Sequence, residues 1–284
     1  MSSSFITPLR YPGGKGRLAA WLTELIKHNG LEEGTYIEPY AGGAGAAMSL
    51  LLKGHVKNIV INDADPVIYA FWWATLNDTE NLIKKIYDTQ VSIKTWHEQR
   101  DIVREADTSQ LLKLGFATFF LNRTNRSGII KGGVIGGQAQ AGKYKIDARY
   151  NKDKLTQRIR NIAMFKEHIE IHNMDAMDLI TSNKIQKNEN TLIYLDPPYY
   201  KKGAQLYTNY YRPEDHKKIA ETVKKVETPW LVTYDNCDEI KDLYKEEKKV
   251  EFSLHYSTYT TRPQAKELLF YKNLHIKSLP TLKR

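Results

Sequence analysis

A strand that leads through a glycine-rich turn into a helix, near the start of the chain, restricts the fold more than any other feature. Residues 35–40 begin with Thr-Tyr-Ile, residues 41–45 read Ala-Gly-Gly-Ala-Gly, and residues 46–52 are strong helix formers. A β-branched run from Val56 to Ile61 follows, and then a second helical segment. Strands that alternate with helices predict a parallel α/β sheet.

The alternation stops once and then resumes. Residues 78–128 have a helical pattern, and six glycines fall between 128 and 142, which predicts a loop or an irregular hairpin. Apolar strand patterns return at 169–172, 191–195, 230–234 and 268–271. We therefore predict one α/β domain, formed by residues 1–75 and 160–284, that is interrupted by a mostly helical domain over residues 76–159.

Composition excludes several classes of protein. Cys237 is the only cysteine, so no intrachain disulfide and no multi-thiolate metal site can form, and the eight histidines lack metal-like spacing. No stretch approaches the roughly 18 apolar residues of a membrane span. We expect a soluble, cytoplasmic protein without a metal.

The net charge of +9 is concentrated in one segment. Residues 121–160 hold ten basic and two acidic residues, which leaves the rest of the chain nearly neutral. A basic segment on a neutral body is typical of a protein with a polyanionic partner, although charge alone also allows a solvated face without one.

Two sequence features indicate a ligand site at the carboxyl ends of the strands. The glycine turn after residue 40 lies where an open parallel sheet binds nucleotide-like ligands. Asp63 follows Gly42 by 21 residues and ends the second strand, where an acid commonly accepts hydrogen bonds from ribose hydroxyls. The pattern indicates an adenosine-containing cofactor without saying which one, and a merely tight turn remains the alternative.

The tetrapeptide Asp196-Pro197-Pro198-Tyr199 is more specific. It follows the apolar strand Leu192-Ile193-Tyr194-Leu195 and so lies at the same end of the sheet. The prolines stiffen the turn and remove backbone donors, which leaves the Asp196 carboxylate and the Pro197 carbonyl as acceptors beside the Tyr199 ring. An exocyclic amine on a flat base would fit between them.

These motifs, in this order, resemble the Dam-like or D12 class of DNA adenine-N6 methyltransferases over nearly the whole chain. The N-terminal run Leu9-Arg10-Tyr11-Pro12-Gly13-Gly14-Lys15 resembles the family's first motif, and Leu121 to Gly128 resembles the start of its DNA-recognition hairpin. Arg262-Pro263-Gln264-Ala265-Lys266-Glu267-Leu268-Leu269 resembles its C-terminal signature. The resemblance implies a Rossmann-like, class I S-adenosylmethionine-dependent methyltransferase sheet with an inserted target-recognition domain. It also implies S-adenosylmethionine as cofactor and double-stranded DNA as partner.

The resemblance assigns roles to individual residues. It implies catalysis by Asp196, Pro197, Pro198 and Tyr199, with the Tyr199 ring stacked on a flipped-out adenine. The implied cofactor contacts are Tyr11, Lys15, Glu38, Pro39, Tyr40, Gly42, Gly43, Asp63, Asp175 and Asp196. The expected DNA contacts are Asn122, Arg123, Asn125, Arg126, Ser127, Lys131, Lys143, Lys145, Arg149 and Lys152.

The chain departs from the family pattern at two places. Ala44 stands between glycines in a loop that usually reads aromatic-x-Gly-x-Gly, and the Arg-Tyr-Asn and Phe-Asn-Val-Pro-Phe-Gly stretches of GATC-reading members are absent between Ser127 and Lys143. We therefore predict no recognition sequence. An RNA adenine or protein-amide methyltransferase and a non-enzymatic DNA-binding module are the alternative functions.

Overall fold

The computed structural model describes residues 6–11, 15–182, 185, 190–201, 211–255 and 264–280. These residues form two compact units. The sheet unit comprises residues 15–64 together with the described residues from 168 onward. The helical unit comprises residues 65–167 together with the N-terminal residues 6–11.

The sheet unit is built on a sheet that has seven strands in the described part of the chain, in the order β3-β2-β1-β4-β5-β7-β6. The first five positions of this order are parallel, whereas β7 runs antiparallel to both β5 and β6. The predicted Rossmann-like α/β fold is confirmed. The strands are β1 Thr35–Glu38, β2 Asn58–Asn62, β3 Ile169–His172, β4 Thr191–Leu195, β5 Trp230–Asp235, β6 Lys248–His255 and β7 Gln264–Lys272.

The order of the strands reverses at the centre of the sheet. β1 pairs with β2 on one side and with β4 on the other, in register Ile37 with Val60 and Ile37 with Ile193. Every residue of β4 is buried, as expected for a central parallel strand covered on both faces. A reversal of this kind opens a crevice at the carboxyl ends of the two strands, which is where α/β sheets bind ligands.

Helices cover the sheet and build the second unit. In chain order they are α1 Ala19–His28, α2 Gly45–Leu52, α3 Pro66–Asn77, α4 Thr79–Asp88, α5 Ile93–Glu105, α6 Leu111–Thr124, α7 Lys152–Ala163, α8 Ala176–Thr181, α9 Pro213–Val223 and α10 Asp238–Leu243. Three-residue or four-residue 3-10 helices also occur at Lys15–Leu18, Arg126–Gly128 and Lys166–His168.

Close packing of α3 against α6 places α3 in the helical unit. A Cβ atom at Gly115 of α6 would lie 2.4 Å from the carbonyl oxygen of Ala70, so only glycine permits this approach. Phe71 and Phe119 stack at 6.1 Å between the same two helices. The helical unit therefore begins at residue 65 rather than at the expected residue 76, and it ends at 167 rather than 159.

The ends of the helices follow ordinary capping rules. Asp65 accepts a hydrogen bond from the Val67 amide at the start of α3, and Asn151 accepts one from the Lys154 amide at the start of α7. Both helices therefore begin where the sequence supplies a short polar side chain. Among the described residues, no helix is long and apolar enough to cross a membrane.

Candidate active site

Asp196 lies directly after β4, at the reversal point of the sheet. Its Oδ1 accepts a hydrogen bond from Thr233 Oγ1 at 2.7 Å and lies 3.4 Å from Lys15 Nζ. The side chain is 22% exposed, and among the described residues Oδ2 has no hydrogen-bond partner. One carboxylate oxygen is thus fixed by the protein while the other is available to a ligand.

Burial raises the pKa of Asp196 to about 6. The charge of Lys15 and the hydrogen bond from Thr233 lower this pKa, whereas the nearby Glu267 carboxylate raises it further. Asp196 is therefore ionised at neutral pH, but its pKa is closer to neutrality than that of an ordinary aspartate.

Lys15 is buried beside Asp196 and is 7% exposed. Its Nζ donates to the Tyr199 hydroxyl at 3.0 Å and to Glu267 Oε2 at 2.9 Å. Burial alone would lower the pKa of the Lys15 ammonium, but the charges of Asp196, Tyr199 and Glu267 raise it well above its ordinary value. Lys15 is therefore a permanent cation paired with two carboxylates, which satisfies an otherwise costly buried charge.

The structure corrects the expectation that the Tyr199 ring presents an open stacking face. Tyr199 is only 6% exposed, and its hydroxyl donates to Glu267 while accepting from Lys15. Pro198, which directly precedes Tyr199, is half-buried, and Pro197 is buried. In this structure Tyr199 belongs to a buried polar network that supports Asp196.

Asp235 holds the chain immediately after the tetrapeptide. Its two carboxylate oxygens accept from the Tyr200 amide at 2.9 Å and from the Lys201 amide at 3.1 Å. Sequence reasoning missed Asp235 and Thr233, which both belong to β5. The available signal was a polar residue at the carboxyl end of a buried strand. Glu267 belongs to the C-terminal signature at residues 262–269, but no local sequence pattern indicated its contacts with Lys15 and Tyr199.

Glu38 ends β1 and is bound into the protein itself. Its Oε1 accepts from the Tyr36 hydroxyl at 3.0 Å and from the Ala47 amide at 3.2 Å. Burial raises the pKa of Glu38 to about 8, although these two hydrogen bonds act in the opposite direction. Glu38 is therefore protonated at neutral pH and joins β1 to the first turn of α2.

The glycine turn and the second-strand acid are joined by a hydrogen bond. The Gly42 amide donates to Asp63 Oδ2 at 2.9 Å, and Gly42 and Gly43 are both buried. Ala44 has a left-handed backbone with φ of 44°, a conformation that costs a residue with a Cβ about 1 kcal/mol. Pro39 is buried in this turn, and Tyr40 is half-buried with its ring edge-on to Tyr211 at 6.1 Å.

Asn62 joins this turn to the segment after β3. Its Nδ2 donates to the carbonyls of Pro39 at 2.9 Å and Met174 at 3.1 Å, and its Oδ1 accepts from the Met174 amide. Sequence reasoning missed Asn62, although it directly precedes Asp63. Asp175 is exposed beside Met174 and caps α8 through the Met177 amide at 2.8 Å.

The acceptors at this edge of the sheet fit an adenosyl ligand. Asp63 and Asp196 end the two strands that flank β1, both are only partly buried, and carboxylates suit ribose hydroxyls and an ammonium group. Tyr11 is half-buried and belongs to the helical unit. Residues 12–14, 262 and 263 of the expected motifs lie outside the described residues. In the described ranges, no group of three His, Cys, Asp or Glu side chains is arranged to hold a metal ion.

The expected base contacts Asn122 and Asn125 are corrected by the structure, because both side chains are fully buried. Asn122 bonds to the amide and carbonyl of Arg10 and to the carbonyl of Gly128. Asn125 accepts from Trp96 Nε1 at 2.6 Å and donates to the carbonyls of residues 129 and 130. Their amides hold the turn that follows α6 and are not free to contact DNA.

That turn also requires glycine. Gly128 has φ of 78°, and a Cβ atom there would lie 2.2 Å from the Arg10 carbonyl oxygen. Ser127 before it has φ of 57° and is exposed. The Arg126 side chain is exposed and extends over Gly133, where a Cβ would lie 2.5 Å from Nη2. The turn thus presents residues 126 and 127 outward.

The other expected DNA contacts divide into two groups. Lys152 donates to the carbonyls of Tyr87 and Thr89 at 2.7 and 3.0 Å, and Arg123 is half-buried with Nε donating to the Arg149 carbonyl. These two side chains have structural contacts within the helical unit. The remaining basic positions are exposed: Lys131, Lys143, Lys145 and Arg149.

Comparisons with known proteins identify the family. The family model for D12 class N6 adenine-specific DNA methyltransferases matches residues 11–261. A curated relative, the type II methyltransferase M.MjaIII of Methanocaldococcus jannaschii, is 22% identical over 242 residues, covering 77% of this chain and 79% of the relative.

Two solved structures that are similar to the chain are described as methyltransferases. One, described as a candidate RNA methyltransferase from Pyrococcus horikoshii, has 9% identity and a TM-score of 0.42, covering 89% of this chain and 81% of its own. Another is described as a candidate class I S-adenosylmethionine-dependent methyltransferase from Listeria monocytogenes. It has 11% identity and a TM-score of 0.40, and the match covers 96% of this chain and 63% of the other chain. Since the family model spans most of the chain, the protein belongs to the D12 class of N6 adenine-specific DNA methyltransferases.

Proposed function

We propose that the protein transfers a methyl group from S-adenosylmethionine to N6 of a flipped-out adenine at a specific site in double-stranded DNA. The observation that carries this proposal is the state of Asp196, whose Oδ1 is held by Thr233 while Oδ2 faces no described partner. The family match supports the choice of adenine and of DNA.

The reacting amine needs the help of the protein. Its lone pair is delocalised into the adenine ring, so the nitrogen is a weak nucleophile until its hydrogens are held out of the ring plane. Asp196 Oδ2 and the Pro197 carbonyl oxygen are the acceptors for these two hydrogens. Because Thr233 and Lys15 fix the carboxylate, the amine meets acceptors that are already oriented, and oriented reactants can have effective molarities on the order of 10⁵ M or more.

The sheet edge holds the methyl donor in this proposal. S-adenosylmethionine supplies an electrophilic methyl group on its sulfonium when it is bound. Asp63 accepts from ribose hydroxyls, and the turn at Gly42 and Gly43 lets the backbone approach the ligand closely. Asp175, exposed at the start of α8, is the residue that we place near the adenine ring of the donor.

The helical unit is the DNA-recognition part of this proposal. Its exposed basic side chains suit phosphate contact, and the outward turn at Arg126 and Ser127 suits contact with base edges. The exposed set is Arg126, Ser127, Lys131, Lys143, Lys145 and Arg149.

The test is methyl transfer from labelled S-adenosylmethionine to duplex DNA, with RNA of the same sequence as a second substrate and mapping of the modified base. We expect N6-methyladenine in DNA only. Asp196→Asn, which keeps the shape of the side chain, should reduce turnover by at least about 10²-fold. Asp242→Asn, on exposed α10, removes the same charge from the sheet unit and is the matched control. Turnover of Asp196→Asn within tenfold of wild type, or methylation of RNA alone, would overturn the proposal.

A further inference from the structure

Four arginines of the helical unit lie in or near the N-terminal segment, close enough for the charges of the other three to act on Arg123. Arg123 Nη1 and Arg158 Nη1 each donate at 3.4 Å to neighbouring carbonyls of that segment, those of Pro8 and Thr7. Arg10 follows in the same segment. Arg149 is joined to the group because its carbonyl accepts from Arg123 Nε at 2.8 Å. We call Arg10, Arg123, Arg149 and Arg158 the arginine cluster.

Carboxylates of the described residues do not compensate the arginine cluster. Within the described ranges, none of its members forms an ion pair with a carboxylate. The side chains of Arg10, Arg123 and Arg158 donate to main-chain carbonyls, and the Arg149 guanidinium lies 6.0 Å from the Tyr144 ring. Two other arginines of this unit do form ion pairs, since Arg160 contacts Glu80 at 3.2 Å and Arg104 contacts Asp101 at 2.9 Å. The members of the cluster lack this compensation within the described part of the chain.

Holding these charges together is unfavourable for the free protein. Burial, followed by the charges of Arg10, Arg158 and Arg149, lowers the pKa of Arg123 to about 9. Burial and the charge of Arg149 likewise lower the pKa of Arg10. Both groups remain cationic at neutral pH, so the repulsion persists until an anion neutralises it.

We propose that the arginine cluster is a binding site for phosphate groups of the DNA backbone. Arg149 is exposed, and Arg10 and Arg158 are half-exposed, so an anion can reach the cluster from solvent. Each guanidinium has five N–H donors, and most remain after the bonds to carbonyls are made. The planar fork of arginine matches phosphate oxygens, which is why arginine is favoured at phosphate sites.

The inference rests on the proposed function for the identity of the polyanion, and only Arg149 of the cluster also belongs to the exposed set assigned to DNA there. It adds Arg10 and Arg158, which are not among the DNA contacts expected from the sequence. It also gives Arg123 a reason to be charged and half-buried. A phosphate held here positions the duplex without reading its sequence.

The experiment compares Arg158→Gln with Arg160→Gln, which removes one charge two residues away on the same helix, where Glu80 already balances it. Binding of duplex DNA is measured by fluorescence anisotropy without S-adenosylmethionine, over a series of salt concentrations. We expect Arg158→Gln to weaken binding about tenfold for all sequences alike. It should also reduce the slope of log K against log salt by up to about 0.9 for each lost phosphate contact. Arg160→Gln should change both quantities less.

A second measurement uses inorganic phosphate as the probe. Phosphate should raise the melting temperature of wild type and of Arg160→Gln more than that of Arg158→Gln, at constant ionic strength set with chloride. If Arg158→Gln does not fold, Arg149→Gln serves instead, because that side chain is exposed. Unchanged salt slopes in the folded cluster variants would overturn the inference while leaving methyl transfer to be judged by its own assay. Absence of methyl transfer by the wild-type protein, together with a reduced salt slope in the cluster variants, would overturn the proposed function and keep the phosphate site.

Discussion

The Glu267 carboxylate contacts Lys15 Nζ at 2.9 Å, although the two residues lie 252 positions apart in the chain. Glu267 is 1% exposed and belongs to β7, the antiparallel strand between β5 and β6. The same carboxylate accepts the Tyr199 hydroxyl, and Lys15 in turn lies beside Asp196. Strand β7 thus supports the tetrapeptide at residues 196–199 through one buried ion pair.

Tyr199→Phe tests whether the hydroxyl of this network matters. Removal of the hydroxyl leaves Lys15 and Glu267 each with one hydrogen bond fewer in a buried place, which costs about 1–3 kcal/mol. We expect a loss of stability of that size in urea unfolding and a reduced kcat. Tyr200→Phe, on the half-buried neighbour, is the control. A Tyr199→Phe enzyme with the stability and kcat of wild type would show that only the ring is needed.

The acid limb of the pH–rate profile reports on Asp196. Turnover should fall as the pH decreases through about 6, because a protonated Asp196 is a poorer acceptor for the amine. Glu267→Gln removes a charge that raises this pKa, so the midpoint should move to lower pH. Thr233→Val removes a hydrogen bond that lowers it, so the midpoint should move to higher pH. Shifts of the two midpoints in the same direction would contradict this account.

Glu38 makes stability depend on pH in the direction opposite to an ordinary carboxylate. The folded protein keeps the proton up to about pH 8, whereas the unfolded chain releases it near 4.5. The folded state therefore binds more protons between these values. Its free energy of unfolding should fall as the pH rises from about 4.5 to about 8, by at most about 1.4 kcal/mol per pH unit, and this contribution is lost above pH 8.

Glu38→Gln, which imitates the protonated side chain, should remove this part of the pH dependence. Urea unfolding at pH 6 and pH 8 measures it, with the exposed Glu246→Gln as control. The prediction fails if wild type and Glu38→Gln lose the same free energy of unfolding between the two pH values.

Asn125 and Arg126 are adjacent in the chain, but we expect substitution of Asn125 to lower stability and substitution of Arg126 to change the preferred base. Asn125→Ala leaves Trp96 Nε1 and two carbonyls without a buried partner, so we expect about 1–3 kcal/mol lower stability. Arg126→Ala should change stability by less than about 0.5 kcal/mol but alter the preferred base at one position by about 1–3 kcal/mol. Thermal unfolding and methylation of a randomised DNA library separate the two effects. An unaltered site preference for Arg126→Ala would remove it from base recognition.

Features encoded by short stretches of sequence could be predicted. The strand at 191–195 is a buried apolar run, and Asp63 meets Gly42 because the ends of neighbouring parallel strands share one edge. β6 was not predicted, since Lys248–His255 mixes charged and apolar residues, as an edge strand does. The hydrophobic sequence pattern that identifies a strand is weak where one face of the strand is in contact with solvent.

Contacts between distant segments could not be predicted. Asn125 has the polarity of a surface residue, but its amide is buried because the turn after α6 leaves carbonyls that need donors. The same is true of Glu267, whose partners are brought near only by the antiparallel insertion of β7. Residue type alone does not show which polar groups a fold must satisfy internally.

Asn62 joins the turn after β1 to the segment after β3 by hydrogen bonds to Pro39 and Met174. Because one amide fixes both segments, they have already lost most of their conformational entropy in the folded protein. A ligand that enters between them therefore pays little further entropy to order the backbone, and more of its contact energy remains as affinity. Replacing Asn62 would weaken binding mainly by returning freedom to two loops that the ligand would then have to immobilise.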